Sequence, residues 1–147
     1  MSGTILGAQV KHDDVIPGIN IQWPWSELIL QGKKTIETRS YPIPKKHIGK
    51  PLAIIETPGP KGKKEAGIEK ARIVGVVIFS GDKQYQSKSS WAADKKYHLV
   101  EENDHQYFFS KLKPKWGWTV SEVKRFKTVL PAPTSRGIVF ASECRLK

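Results

Sequence analysis

The apolar residues of this chain occur in short runs, and this limits the folds open to it more than any other feature. The longest run, residues 73–79 (IVGVVIF), has the length of a strand and not the ~20 residues that a membrane-crossing helix needs. Strand signals of similar size recur along the chain, at residues 18–22, 35–41, 52–56, 71–80, 116–126 and 137–145. Many short strands with few helices predict an α+β, mainly β fold that forms a small closed or nearly closed β-barrel.

The remaining segments predict a few helices and several loops. Pro24 suits the first turn of a short helix, Trp25, Leu28 and Ile29 give that helix an apolar face, and Gly32 ends it. One or two further short helices are predicted within 91–109. Segments 42–51, 57–67 and 81–90 are predicted loops, the second of them mobile and cationic, and a turn is predicted at 131–135. Residues 1–17 are a predicted loose lead-in, and residues 18–147 a single domain.

The charge balance points to a polyanionic partner. The chain has 25 Lys and Arg against 14 Asp and Glu, a formal net charge of +11. Nucleic acid is the first expectation for a small basic domain with interspersed aromatic residues, and a solvated lysine surface is the alternative. A single cysteine, Cys144, excludes an intrachain disulfide and a Cys-rich zinc site. We therefore expect a protein of the reducing cytoplasm, without a membrane partner.

Residues 23–39 (WPWSELILQGKKTIETR) place Lys34, Glu37 and Arg39 directly after the first predicted helix. If this segment forms a site, burial would lower the pKa of Lys34 and make it a base or nucleophile, with Glu37 as its proton partner. Arg39 would offer a planar pair of donors to a phosphate. Alternatively, Glu37 and Arg39 form a surface ion pair. Strand alternation separates Lys34 from Glu37, so their convergence requires a turn or bulge near Lys34.

Aromatic and basic residues extend this possible binding surface. Trp23 and Tyr41 are candidates for base stacking, whereas Trp25 is expected in the core. Trp118 and Trp116 point the same way from one strand, either into the core or, for Trp118, outward as a stacking surface. Two segments contribute basic side chains that would contact phosphates: Lys45, Lys46, His47 and Lys50 in one, Lys61, Lys63 and Lys64 in the other. The spacing of His12, His47, His98 and His105 fits no metal site, and no metal or other cofactor is expected.

The segment PWSELILQGKKTIETRSYPIPKKHIGKPLAI resembles the signature of the ASCH domain family. The features in common are Pro24-Trp25, Gly32, the Lys-x-x-Glu-x-Arg strand with Ser40-Tyr41 after it, the basic proline-containing loop and the short apolar strand. The later GWTVSEVKRF and the Pro-x-Pro turn before Arg136-Gly137 also resemble the family's C-terminal strands. The similarity is close over about residues 20–57 and 116–140.

This resemblance implies a PUA-like β-barrel with a cleft near the first helix. Some members of the family bind nucleic acid, one group cleaves RNA, and a small bacterial group deacetylates acetylcytidine through a Lys, a Thr and a Glu. That Lys corresponds to Lys34, the Thr position holds Glu37 here, and the Glu is matched to Glu101. The replacement of Thr by Glu departs from the pattern of that reaction.

Three functions follow from this sequence. The first is nucleic-acid binding, RNA more than DNA, through Lys34, Arg39, Ser40, the aromatic residues and the basic loops around a small cleft. The second is a metal-independent hydrolase of RNA or of a modified pyrimidine nucleoside, centred on Lys34 and Glu37. The third is a protein-interaction module.

Overall fold

A computed structural model describes residues 4–5, 10–11, 14–104, 109–110, 112–134 and 136–146. The strands are β1 (Thr4–Ile5), β2 (Val10–Lys11), β3 (Val15–Gln22), β4 (Ile36–Arg39), β5 (Pro51–Thr57), β6 (Arg72–Tyr85), β7 (Lys115–Pro131) and β8 (Phe140–Arg145). The helices are α1 (Trp25–Leu30), α2 (Gly59–Glu65), α3 (Lys88–Ala93) and α4 (Lys95–His98), with a 3₁₀ turn at Lys45–His47. None of the helices in these ranges has the length and apolar character needed to span a bilayer.

Six strands form one mixed sheet in the order β4-β7-β6-β5-β3-β8. Only β3 and β5 pair in parallel, and all other neighbours are antiparallel. Strands β4 and β8 lie at the two edges and are not hydrogen-bonded to each other in the described chain, so the sheet wraps without closing. The predicted α+β, mainly β class is confirmed, and the fold is barrel-like with one open seam.

The largest of three apolar clusters surrounds Trp118, which has no exposed surface. The indole packs edge-on against Phe79 and Tyr41, with ring centroids 5.5 and 5.8 Å away, and lies parallel to Phe140 at 6.3 Å. Its Nε1 donates a hydrogen bond to the Tyr41 carbonyl at 3.1 Å. Trp118 as a base-stacking surface is therefore wrong, because both its ring and its polar atom are used inside the fold. Trp116 is half-buried against the same cluster.

Residues 57–67, predicted as a mobile loop, instead contain helix α2, which is a correction. Pro60 in the first turn suits a helix start, and the following KGKKE is mostly good helix formers. Gly67, with a φ of +67°, allows the chain to leave the helix. Most of the Pro and Gly residues that gave the loop signal thus lie at the two ends of the helix, whereas Gly62 lies in its middle and is buried.

The polar segment 81–90 is also more ordered than predicted. Strand β6 continues to Tyr85 because these residues pair with the start of β7, and α3 begins at Lys88. Ser87 caps this helix by accepting a hydrogen bond from the Ser90 amide at 3.1 Å. Helices α3 and α4 confirm the two short helices predicted for this part of the chain, although α3 begins three residues before the predicted 91. Strand β7 extends past the predicted end of 116–126 to Pro131.

At the chain start, β3 begins at Val15, three residues before the predicted 18. The predicted lead-in otherwise contains the small β1–β2 pair and residues outside the described chain. His12, His105 and the end of the predicted turn at Ser135 also lie outside the described residues.

Gly75 lies at a register shift in the pairing on both sides of β6, and so forms a β-bulge. A Cβ at this position would collide with the Lys124 carbonyl oxygen and approach a Leu30 methyl to 2.8 Å. The backbone of β7 and helix α1 therefore pack directly on the bulge, and only glycine fits between them.

We predict that Gly75→Ala lowers the free energy of unfolding by about 1–3 kcal/mol, the usual range for forcing extra volume into a packed core. Gly81→Ala is the matched control, since a Cβ at Gly81 on the same strand meets no atom within 4 Å. Its effect should stay within about 0.5 kcal/mol. Urea denaturation of the two variants measures the difference, and equal destabilisation would contradict the packing described for Gly75.

Candidate functional site

A cavity of about 830 Å³ opens at the seam between the β4 edge and strand β3. Its charged lining consists of Lys34, Glu37, Arg39, Lys115 and Arg136. The remaining lining residues are Asn20, Gln22, Trp25, Thr38, Ser40, Tyr41, Thr57, Val100, Thr134, Gly137 and Ile138. We call this cavity the seam cleft. It has the volume of a typical small-ligand site and is rich in polar groups.

The turn that follows α1 brings Lys34 to Glu37. Gly32, with a φ of +76°, reverses the chain, and the amide of Lys34 donates to the Leu28 carbonyl at 3.0 Å. Strand β4 begins only at Ile36, so strand alternation does not apply to Lys34. Its Nζ lies 3.8 Å from Glu37 Oε1. Of the two features that could bring Lys34 and Glu37 together, a turn or a bulge, the structure has the turn.

The Lys34 ammonium is enclosed on several sides. It donates a hydrogen bond to the His98 carbonyl and lies 4.8 Å from the centre of the Trp25 ring. Only 1% of the residue is exposed. Burial lowers the pKa of Lys34 to about 8, although the Glu37 carboxylate acts in the opposite direction. Near neutral pH the side chain is therefore mostly charged, with a neutral fraction that an ordinary lysine lacks.

Glu37 and Arg39 pair within the cleft and not on the surface. Arg39 donates to Glu37 Oε2 from Nε at 3.2 Å and from Nη2 at 2.9 Å, and the Glu37 side chain is 7% exposed. Nη2 also donates to the Asn20 carbonyl at 2.9 Å, and Nη1 contacts the Tyr41 hydroxyl at 3.4 Å. The guanidinium thus bridges the seam from β4 to β3, which gives this pair a structural role that an exposed pair would not have.

Sequence reasoning missed several of the lining residues, among them Asn20, Lys115 and Arg136. Asn20 Nδ2 donates to the carbonyls of Gly137 and Ile138, each at 2.9 Å, and so fixes the segment that carries Arg136. No sequence signal marked Asn20, because its partners are more than a hundred residues away. Arg136 was noted only as part of the family resemblance.

Lys115 begins β7 and is largely buried in the cleft. Desolvation lowers its pKa, and the nearby Glu37 carboxylate opposes this shift. Its placement depends on pairing across β7: Arg39 lies opposite Trp116 and Glu37 opposite Trp118, which brings the start of β7 beside the β4 side chains. A lysine next to a tryptophan in sequence gives no hint of this.

His98 supports the cleft from behind. Its imidazole is fully buried and stacks on Trp91 with ring centroids 4.8 Å apart. Nε2 donates to the Trp91 carbonyl at 2.7 Å, and Nδ1 accepts from the Val100 amide at 2.9 Å, which defines one neutral tautomer. Burial lowers the pKa of His98, so the ring stays neutral near pH 7. Its backbone carbonyl is thereby held in place for Lys34.

The structure brings together five of the predicted site residues and separates the rest. Lys34, Glu37, Arg39, Ser40 and Tyr41 all line the seam cleft. Trp25, expected in the core, packs against the Trp118 cluster and also lines the cleft. Trp23 is half-buried near Gly62 of α2 and is not among the described lining residues.

Glu101 is not part of the Lys34 cluster. Its side chain is 63% exposed, pairs with Lys95 at 2.8 Å and is not among the described residues that line the cleft. The preceding residue, Val100, does line the cleft, but the Glu101 carboxylate is paired with Lys95 outside it. Glu101 as a catalytic partner of Lys34 is therefore a mismatch with the geometry.

The basic loops lie elsewhere on the surface. Lys45, Lys46 and Lys50 are exposed, and Lys46 and Lys50 line a second cavity and not the seam cleft. Lys61, Lys63 and Lys64 are exposed on α2. Within the described residues, no three His, Cys, Asp or Glu side chains group as metal ligands would.

The fold is that of ASCH domains. A serine-to-alanine variant of the ASCH protein from Zymomonas mobilis superposes with a TM-score of 0.63 at 14% identity, over 86% of this chain and 86% of that one. Crystal structures of the ASCH protein and of its tyrosine-to-phenylalanine variant from the same organism each give 0.59 at 16% identity over 78% of this chain, and cover 72% and 74% of theirs. No family model matches the chain, and no curated protein matches it. The resemblance inferred from residues 20–57 and 116–140 is thus confirmed for the fold.

We predict that the low pKa of Lys34 is visible in the pH dependence of stability. Between pH 8 and about 10.5 the unfolded chain holds a proton on Lys34 that the folded protein has released, so stability rises with pH across this window. The free energy of unfolding should rise relative to that of Lys34→Met by about 1.4 kcal/mol per pH unit at most. Urea denaturation of both proteins from pH 7 to 10 measures this. Parallel curves would show that Lys34 has an ordinary pKa.

Proposed function

We propose that the protein binds single-stranded nucleic acid, RNA in preference to DNA, and that one nucleotide enters the seam cleft. The observation that carries this proposal is the charge of the cleft, whose described lining has four cationic side chains and one carboxylate. Glu37 is already paired with Arg39 and lies 3.8 Å from Lys34. Arg136 and Lys115 have no ion-pair partner within the described residues, so the cleft attracts an anion.

The arrangement of polar and aromatic groups fits a nucleotide better than a simple anion. Arg136 lies at the exposed mouth, where a phosphate can stay hydrated, and its donors suit a phosphate. Trp25 and Tyr41 supply aromatic surface within the cleft for a base. The fold agrees with this proposal, although a fold alone does not define a function.

The preference for RNA rests on the uncharged polar lining. Gln22, Thr38, Ser40 and Thr57 are among the described residues that line the cleft, and their side chains carry amide and hydroxyl groups. A ribose 2′-hydroxyl both donates and accepts hydrogen bonds, and such groups can satisfy it. Deoxyribose lacks the 2′-hydroxyl, so in a DNA complex these amide and hydroxyl groups would be hydrogen-bonded to water instead. Equal affinity for RNA and DNA of the same sequence would reject this part of the proposal and leave binding to single strands in place.

We predict that Arg136→Gln weakens binding to a single-stranded RNA oligonucleotide by roughly ten-fold at low salt, as the removal of one charge-assisted hydrogen bond implies. The slope of log affinity against log salt should fall by about one. Arg145→Gln is the matched control, since Arg145 is also exposed and lies outside the described cavities. Fluorescence anisotropy over a salt series gives both quantities.

Two results would overturn the binding proposal. One is the absence of any salt-dependent binding of the parent protein to single strands. The other is an equal loss of affinity in Arg136→Gln and Arg145→Gln, since a general effect of net charge does not require the cleft.

A hydrolase remains the second candidate because of one observation, the buried Lys34 with a pKa of about 8. The neutral amine, roughly one molecule in ten at pH 7, can accept a proton from water as the water oxygen bonds to a phosphorus or amide carbon, and the resulting ammonium gives that proton to the leaving oxygen or nitrogen as its bond to the same atom breaks. Arg39 donors beside it would stabilise the negative charge that develops. Glu37 Oε1, 3.8 Å from Lys34 Nζ, would stabilise the ammonium while it carries the proton, and the other oxygen of Glu37 is held by Arg39.

If the protein is a hydrolase, Lys34→Ala should abolish turnover without unfolding the domain, whereas Lys33→Ala, at an exposed neighbour, should retain it. Activity should rise with pH to a plateau above pH 8, since the neutral amine is the active form. Mass spectrometry of an RNA pool and of its nucleoside digest after incubation detects the product and identifies the bond broken. A product that persists in Lys34→Ala would exclude this chemistry and leave the binding proposal untouched.

A further inference from the structure

The second cavity, which we call the lysine cavity, adjoins the seam cleft along the same pair of strands. Its volume is about 670 Å³. It is lined by Ile16, Pro17, Lys46, His47, Lys50, Pro51, Phe140, Ala141 and Ser142. Gly137 and Ile138 line the seam cleft, and only Val139 separates them from the residues of β8 that line the lysine cavity.

The strand pair gives the distance between the two cavities. Backbone pairing of β3 with β8 extends beyond the strand to Val139, whose carbonyl accepts from the Asn20 amide at 2.8 Å. The three residue steps from Ile138 to Ala141 span at most about 10 Å, the reach of a fully extended chain. Successive nucleotides of one strand are about 3.4 Å apart when stacked and further apart when unstacked, so two or three nucleotides bridge the two cavities.

The lysine cavity also has a charge that suits nucleic acid. Lys46 and Lys50 are both exposed at its rim, and the described lining includes no carboxylate. His47 is buried and stacks on Phe140 with ring centroids 4.6 Å apart. Burial, together with the neighbouring Lys46, lowers the pKa of His47, so its ring is part of an uncharged floor.

The floor is otherwise apolar and rigid. Ile16, Pro17, Pro51 and Ala141 provide its surface. One face of Phe140 is covered by His47, and its ring also lies parallel to that of Trp118 at 6.3 Å. This floor suits the flat, weakly polar faces of a sugar or base, while the two lysines are placed for the adjoining phosphates.

We infer that the lysine cavity is a second subsite for the same nucleic-acid strand, which runs from the seam cleft along β8 and places its phosphates at Lys46 and Lys50. This inference rests on the proposed function. It gives the segment that carries Lys46 and Lys50 a binding role different from that of the seam cleft. The seam cleft holds one nucleotide, and the lysine cavity holds the strand two or three nucleotides further on without selecting its sequence.

The test compares a mononucleotide with an octanucleotide of RNA in the double variant Lys46→Ala/Lys50→Ala. Octanucleotide affinity at low salt should fall by about ten-fold or more, and the salt slope by about two, one for each phosphate that no longer meets a lysine. Affinity for the mononucleotide, which fills only the seam cleft, should change less than about two-fold, because both substitutions lie outside that cleft. Anisotropy measures the octanucleotide, and NMR titration measures the mononucleotide.

The matched control is Lys63→Ala/Lys64→Ala, which removes the same charge from the exposed surface of α2, outside the described cavities. Equal losses of affinity in the two double variants would overturn the second subsite, because the effect would then be one of net charge. An unchanged octanucleotide affinity in Lys46→Ala/Lys50→Ala, with weaker binding in Arg136→Gln, would also overturn it and leave the proposed function standing. If the parent protein binds no octanucleotide, the proposed function and the second subsite both fail.

Discussion

The hydrogen bonds of the Arg39 guanidinium hold together the two sides of the seam in this fold. The sheet has two edges, β4 and β8, that no ladder of hydrogen bonds joins within the described chain. Arg39 spans the gap by donating to Glu37 on its own strand and to the Asn20 carbonyl on β3. A barrel closed by strand pairing would leave no opening here. One side chain in place of a strand pair holds the two sides together and leaves room for a cleft beside it.

The charges at this seam cost free energy to bury, and the opposite charges of neighbouring side chains offset part of that cost. Lys34, Glu37 and Arg39 are each largely removed from water, and an unpaired buried charge would destabilise the fold by several kcal/mol. Glu37 carries two cationic neighbours, so the group retains an excess of positive charge that faces the cavity. Replacing such a cluster by apolar residues often preserves or increases stability. Its charge therefore needs another explanation, which attraction of an anionic ligand would supply.

The sequence predicted the mainly β class and the helix-turn-strand segment around residues 23–39, because these depend on local patterns. Glu37 and Arg39 lie two apart on one strand, and that spacing alone places them on one face. The position of Lys34 relative to Glu37 could not be predicted without knowing where the strand begins, and the turn at Gly32 decides that. Asn20 and Lys115 belong to the site through pairings between distant segments, and no local pattern encodes those. The two alternatives for Trp118, core or stacking surface, stayed open for the same reason: a strand of alternating residues has two faces, and only the fold decides which one is buried.

The hydrogen bond from Lys34 to the His98 carbonyl connects the cleft to the apolar cluster around Trp91. Behind that carbonyl lies the third apolar cluster, formed by Tyr85, Trp91, Val100 and Phe109, with His98 stacked on Trp91. Both nitrogens of His98 are committed to backbone partners, so its carbonyl cannot shift without disturbing that cluster. Local unfolding of residues 88–100 is therefore coupled to any change at the Lys34 ammonium. The rate of amide exchange in α3 and α4 then depends on what is bound in the cleft.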